Sequence, residues 1–166
     1  MKKLMEHAAV GPLKKEFDDL QQTRPNCVLL GDARQDLNYD NLNAAFRLCK
    51  SGAPLIGIGM NKYFKDDEGL KLDAGGFIRL VEWAADVEAV IMGKPSAAFF
   101  QQVVASTGVP ASACLMVGDD LVSDVIGAVD AGLQGCLVQT GKYQAGDEAG
   151  LPAGAWLVPS IAELFA

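Results

Sequence analysis

The sequence predicts an α/β fold built on parallel strands, and three observations carry that prediction. From residue 26 onward, short apolar runs alternate with stretches whose apolar residues recur at helical spacing. Repeated strand–helix units imply a parallel sheet with helices on its faces. The apolar runs are continuous instead of alternating with polar residues, as expected of strands buried on both faces. One of them, residues 113–117, ends abruptly in Gly118-Asp119-Asp120, with Asp124 four residues later. The C-terminal ends of parallel strands are where open α/β sheets place ligands.

Taken in order, residues 26–31 (NCVLLG) form a first short strand. Tyr39 to Lys50 is a helix carrying Leu42, Ala45, Phe46 and Leu48-Cys49 on one side, and Ser51-Gly52 stops it. Residues 53–59 (APLIGIG) are a second strand. Residues 61–72 hold Tyr63 and Phe64 before a polar run and read as a hairpin or long loop. Gly75-Gly76 opens a helix with Phe77, Leu80, Val81 and Trp83-Ala84 on one side. Residues 87–92 are a third strand, and residues 96–106 a helix with Pro95 near its start. Residues 113–117, 133–138 and 156–158 are further strands. A small-residue helix over 123–131, a glycine-rich surface loop over 141–154 and a final helical turn from Ile161 fill the intervals.

Bulk properties bound the function. The 166 residues, half of them apolar, suffice for one large domain or two small ones. A formal charge of −7 argues against nucleic acid or an anionic membrane as the main partner. The cysteines (Cys27, Cys49, Cys114, Cys136) follow no framework spacing, and Cys27, Cys114 and Cys136 lie in apolar runs, where a free thiol packs as a small hydrophobe. No apolar run reaches the roughly 18 residues needed to span a bilayer. The first seven residues lack the apolar core of a signal peptide. The expectation is a soluble, cytoplasmic protein.

Three carboxylates at one strand end are unfavourable unless something positive sits among them. A hard divalent cation such as Mg²⁺ takes oxygen ligands and suits Asp119, Asp120 and Asp124. Twenty-five residues before Asp119, Gly93-Lys94-Pro95 places a lysine in a turn ahead of a helix. Lysine, carboxylates and strand end together suggest a phosphate site. The plainer alternatives are a helix N-terminus decorated with acids, which its dipole favours, and a solvated turn lysine. Gly141-Lys142 follows a strand but lacks the spacing of a phosphate-binding P-loop. Gly75-Gly76 either lets a backbone approach a ligand or only opens the helix. Trp83 and Trp156 read as core or interface residues, and His7, the sole histidine, as uninvolved.

With Gly93-Lys94-Pro95 followed by Gly118-Asp119-Asp120 and Asp124, the chain resembles the haloacid-dehalogenase-like (HAD) phosphatases. More narrowly, it is similar to their C2-capped subgroup of NagD-like and phospholysine phosphohistidine inorganic pyrophosphate phosphatase-like enzymes. Approximate matches at residues 25–28, 39–46, 63–65 and 138–143 extend the resemblance from about residue 14 to the C-terminus. It implies a partial Rossmann-like core with part of an inserted α/β cap. Residues 1–92 would be an N-terminal leader and partial cap, and residues 93–166 the C-terminal part of the core. Lys94 would neutralise the phosphoryl group and its acceptor. Asp119 would hold Mg²⁺, with Asp120 or Asp124 beside the ion or one step behind it. Tyr63, flanked by Lys62 and Lys65, would touch a small phosphorylated substrate from the cap, or be only a surface aromatic.

The chain departs from that pattern in one respect. The family's nucleophile is an aspartate in an Asp-x-Asp motif on the first core strand, N-terminal to the cap, and no Asp-x-Asp occurs here. Asp18-Asp19 falls on a polar stretch, Asp66-Asp67 in a loop, and Asp32 on a strand that maps to the cap. The chain therefore reads as the C-terminal portion of such an enzyme, with three core strands absent, including the neighbour of residues 113–117. A bare strand edge is normally covered. A second copy of the chain (a homodimer), a separate N-terminal piece or residues 1–20 would cover it. Two functions follow: part of a Mg²⁺-dependent phosphatase, or a catalytically silent binding or oligomerisation module. A phosphoacceptor receiver domain fits poorly, since its acidic pair precedes its lysine by a long stretch.

Overall fold

A computed structural model describes residues 26–165 of the chain. The expectations placed on residues 1–20, including Asp18-Asp19 and His7, lie outside the described residues. The chain divides into two compact units, one running to Tyr63 and then Leu72–Met92, the other comprising Phe64–Lys71 and everything from Gly93.

In the first unit, β1 (Val28–Leu30), β2 (Leu55–Gly57) and β5 (Val90–Ile91) form a parallel sheet in the order β1-β2-β5. Its register pairs Val28 with Leu55 and Gly57 with Ile91. The strands are shorter than the apolar runs that predict them, because the ladder ends one hydrogen bond past each: Ile58 N–H donates to Leu30 O (3.0 Å) and Met92 N–H to Gly57 O (2.8 Å). Helix α1 (Tyr39–Lys50) connects β1 to β2 and starts where the Asn38 side chain accepts from Asn41 N–H at 3.1 Å. Helix α2 (Ala74–Ala85) leads into β5 and is capped by Asp73, whose carboxylate accepts from Ala74 N–H at 2.6 Å. Val28, Leu30, Ala45, Cys49, Leu55, Ile78 and Val81 make the buried core.

The face that α2 buries differs from the one its sequence suggests. Ala74, Gly75, Ile78, Val81, Glu82 and Ala85 turn inward, whereas Leu80 and Trp83 are 49% and 86% exposed. The small residues let the helix lie close to its neighbours, and Glu82 is accommodated because it is fully partnered. Its carboxylate takes Arg79 Nη1 at 2.8 Å and Ala89 N–H at 2.7 Å, which fixes the chain entering β5. A core role for Trp83 is thereby excluded.

β3 (Tyr63–Asp66) and β4 (Gly69–Leu72) form a two-stranded hairpin. Asp66 accepts from Glu68 N–H (2.9 Å) in its turn and pairs with Lys71 (2.8 Å). In the second unit, β6 (Leu115–Gly118), β7 (Gln134–Val138) and β8 (Trp156–Val158) are parallel in that order, Val117 opposite Cys136 and Leu137 opposite Leu157. β6 starts two residues later than its apolar run, since a 3₁₀ turn at Ala111–Ala113 takes the amides of Ala113 and Cys114. Helix α3 (Ala97–Thr107) precedes it. The helix expected over 123–131 is instead a wide π-type turn, Leu121–Ile126, followed by the short α4 (Gly127–Asp130). The segment 141–154 is more than a surface loop: it contains a 3₁₀ turn at Asp147–Gly150. The last turn, Ile161–Phe165, is 3₁₀. All four cysteines are free thiols. Among the described residues, no helix is long and apolar enough to cross a membrane.

Gly75 and Gly76 have opposite roles. A Cβ at Gly75 would lie 2.5 Å from Asn61 O and 2.7 Å from Met60 O, so the helix start is pressed against backbone that cannot yield. At Gly76 a Cβ would meet nothing within 4 Å. Gly75→Ala is expected to destabilise the first unit by about 2 kcal/mol, and Gly76→Ala to stabilise it by up to about 1 kcal/mol. Urea midpoints of the two variants, moving in opposite directions, check this.

Candidate active site

The candidate site forms at the C-terminal end of β6, within the second unit. Gly118 is the last residue of the strand, and a Cβ there would lie 2.2 Å from Asp124 Oδ2. Only glycine lets the Asp124 carboxylate pack against the strand end. Asp120 then caps the wide turn: its Oδ1 accepts from Val122 N–H and Ser123 N–H, both at 3.0 Å. The turn is wide because Val125 N–H reaches back five residues to Asp120 O (3.3 Å) while Asp124 N–H bonds the same carbonyl (3.0 Å). Asp124 closes the ring by accepting Asp120 N–H on Oδ2 at 3.2 Å.

Two lysines enter this cluster. Lys94 Nζ pairs with Asp124 Oδ1 at 2.6 Å; the Asp124 side chain is 5% exposed and the Lys94 side chain 34%. A buried carboxylate so placed needs a partner, because an unpaired charge there would be strongly destabilising. Lys142 Nζ pairs with Asp120 Oδ2, both side chains nearly buried. Burial by itself pushes the Asp120 carboxyl up. The Lys142 ammonium and the Ser123 N–H outweigh it and hold the group below the usual carboxylate range. The Lys142 backbone N–H donates to Asp119 Oδ2 at 2.8 Å. Among the described residues, Asp119 Oδ1 accepts no hydrogen bond.

The structure thus brings together Lys94, Asp119, Asp120 and Asp124. Tyr63 belongs to the first unit, half-buried at the start of β3. Lys142 is the residue that sequence reasoning noticed only as an incomplete phosphate loop. Its signal was its place directly after the strand that neighbours β6. Asp32, considered as a substitute nucleophile, is paired with Arg34 at 2.8 Å.

The donor set suits Mg²⁺ in one particular way. Among the described residues no three acidic, cysteine or histidine side chains converge as a ready-made cage. Asp120 and Asp124 are committed to lysines, which leaves the Asp119 oxygen as the open ligand. Mg²⁺ is commonly held by one or two carboxylates and keeps several waters, so a single open oxygen among fixed charges fits it. Three carboxylates against two ammonium groups leave the cluster with one net negative charge. A divalent cation would turn that into one net positive charge, suited to a phosphate ester.

The chain is similar to known proteins. A family described as HAD-hydrolase-like matches residues 91–164. The rat phospholysine phosphohistidine inorganic pyrophosphate phosphatase is 41% identical over 138 residues, covering 82% of this chain and 51% of that protein. The human haloacid dehalogenase-like hydrolase domain-containing protein 2 is 44% identical over 133 residues, covering 80% and 51%. Among solved structures, 4-nitrophenylphosphatase from Thermotoga maritima superposes with a TM-score of 0.79 at 27% identity, covering 92% of this chain and 61% of that one. A Mycobacterium tuberculosis glycerol phosphate phosphatase in complex with magnesium gives 0.72 at 26% identity, covering 86% and 43%. The chain spans about half the length of the relatives it matches.

The lowered Asp120 carboxyl has a pH consequence. The unfolded chain takes up its proton near pH 4, the folded chain only at lower pH. The stability contributed by the Asp120–Lys142 pair is therefore present above about pH 4 and lost as pH falls through the folded-state value. Urea unfolding at stepped pH should show wild type losing stability more steeply below pH 4 than Asp120→Asn. Parallel curves would contradict the assignment.

Proposed function

Since the chain belongs to the haloacid-dehalogenase-like hydrolases, covering the C-terminal portion of its relatives, we propose that its carboxylate–lysine cluster is the Mg²⁺- and phosphoryl-binding part of a phosphatase site. The substrate class is a small phosphorylated metabolite. The observation that carries the reading is the pairing of partly exposed Lys94 with buried Asp124, in the same cluster as the open oxygen of Asp119.

In this reading Asp119 Oδ1 holds the ion, and Asp120 and Asp124 orient it from behind through their lysines. When bound, Mg²⁺ supplies positive charge to the phosphoryl oxygens. Lys94, fixed in direction by Asp124, presents its ammonium to the same group, so the charge that develops in transfer meets a preorganised partner. Residues 1–92 act as leader and partial cap, and residues 93–166 as core. Turnover needs an Asp-x-Asp strand, which these 166 residues do not contain. A cytoplasmic location and a homodimer, or a pairing with a separate N-terminal piece, complete the reading.

One observation is equally compatible with the silent-module alternative. Among the described residues β6 is bonded to a strand on one side only, and its Leu115 is 41% exposed. Such an edge suits strand addition.

Calorimetric titration separates the two. Mg²⁺ should bind the chain, and Asp119→Ala should weaken it at least about tenfold, or about 1.4 kcal/mol. Inorganic phosphate should then bind only with Mg²⁺ present. The double variant Lys94→Gln/Asp124→Asn, which leaves no buried carboxylate unpaired, should lose that phosphate binding. A stable dimer that takes up neither ion would support the module.

A further inference from the structure

We infer that the turn formed by Gly141 and Lys142 after β7 is a positioning element for Asp119, deciding which of its two oxygens faces outward. The metal-binding consequence rests on the proposed function; the positioning itself does not.

Both ends of this short turn are tied to consecutive carboxylates. Its backbone is tied to Asp119: the Lys142 N–H donates to Oδ2 at 2.8 Å. Its side chain is tied to Asp120: the Lys142 ammonium pairs with Oδ2, at 12% and 14% exposure. An ammonium that buried is tolerated only when paired, so the turn cannot lift away without stranding two charges. Asp120 is itself immobile, since its other oxygen caps the wide turn. The tether therefore runs from a fixed cap, through the lysine, to the amide that holds Asp119.

Gly141 makes the contact close. Its φ is +60°, and a Cβ there would lie 1.9 Å from Asp119 Oδ2 and 2.8 Å from Cγ. Any side chain would push the carboxylate out of its place. With Oδ2 captured, Asp119 loses the freedom to exchange its oxygens, and Oδ1 is presented in one direction. An ion would then meet an oriented ligand, as outer hydrogen bonds provide at metal centres.

Lys142 is not a second phosphate lysine. Its side chain is more deeply buried than that of Lys94, which is 34% exposed, and its ammonium is already committed to Asp120. It acts through Asp119 and is a positioning residue.

The test uses the full chain and two readouts. In the metal-free protein, the Lys142 amide proton should exchange slowly and show through-hydrogen-bond coupling to the Asp119 carboxylate carbon by NMR. Gly141→Ala should abolish that coupling and weaken Mg²⁺ binding, measured by calorimetry with the metal alone, by about tenfold or more. Lys142→Arg, which keeps the charge, should retain most of both. Gly75→Ala is the stability control: in the first unit it crowds Asn61 O and Met60 O at the start of α2 and should lower the unfolding midpoint while leaving Mg²⁺ affinity unchanged. Should Gly141→Ala fail to fold, Lys142→Met/Asp120→Asn removes the tether without an unpaired buried charge and should show the same two losses. Wild-type coupling at the amide together with no Mg²⁺ binding would sink the phosphatase reading and leave the positioning intact. Absence of the coupling in wild type, or unchanged Mg²⁺ affinity in Gly141→Ala, would overturn the inference.

Discussion

The second unit is organised by the need to neutralise carboxylates crowded at the end of one strand. Asp119, Asp120 and Asp124 occupy little more than one helical turn, and Asp124 is nearly sealed from water. Two lysines resolve this, one arriving from the turn before α3 and the other from the turn after β7. Each pair fixes a carboxylate and also anchors the turn that delivers its lysine. The wide turn after β6, the glycine at the strand end and the close approach of Gly141 all serve the same arrangement. What remains is a single unclaimed oxygen, on Asp119.

That residue of charge and geometry separates two tasks that a phosphoryl-transfer site must perform. Holding an ion and neutralising oxygens needs fixed charges, and this cluster supplies them. Attack at phosphorus needs a nucleophile, and Asp32 and Asp66, two of the aspartates weighed for that role, are each paired with a basic residue in their own loop or hairpin. Under the proposed function the chain contributes the neutralising part. The two lysines are unequal within it: the Lys94 side chain stays partly exposed, whereas the Lys142 side chain is nearly buried against Asp120.

Much of this was legible in the residues. The strand–helix alternation predicted parallel strands, as one sheet where the structure has two, and an apolar run ending in Gly118-Asp119-Asp120 located the cluster before any geometry was known. Other features were not legible, for physical reasons. The inward face of α2 was misread because Glu82, a charged residue, occupies a buried position through partners Arg79 and Ala89, while Trp83 points outward. The wide turn depends on which carbonyl Val125 selects, a choice of hydrogen-bond register that residue identity does not reveal. Lys142 lies 23 residues from Asp119. Only the adjacency of β6 and β7, a tertiary fact, brings the two together.

The most direct measurement is a crystal structure of the chain soaked with Mn²⁺ in place of Mg²⁺, located by its anomalous scattering. The account predicts one ion on Asp119 Oδ1, with the Lys94–Asp124 and Lys142–Asp120 pairs intact. An ion seated on Asp124 or Asp120 with its lysine displaced, or no ion at the end of β6 at saturating Mn²⁺, would contradict it.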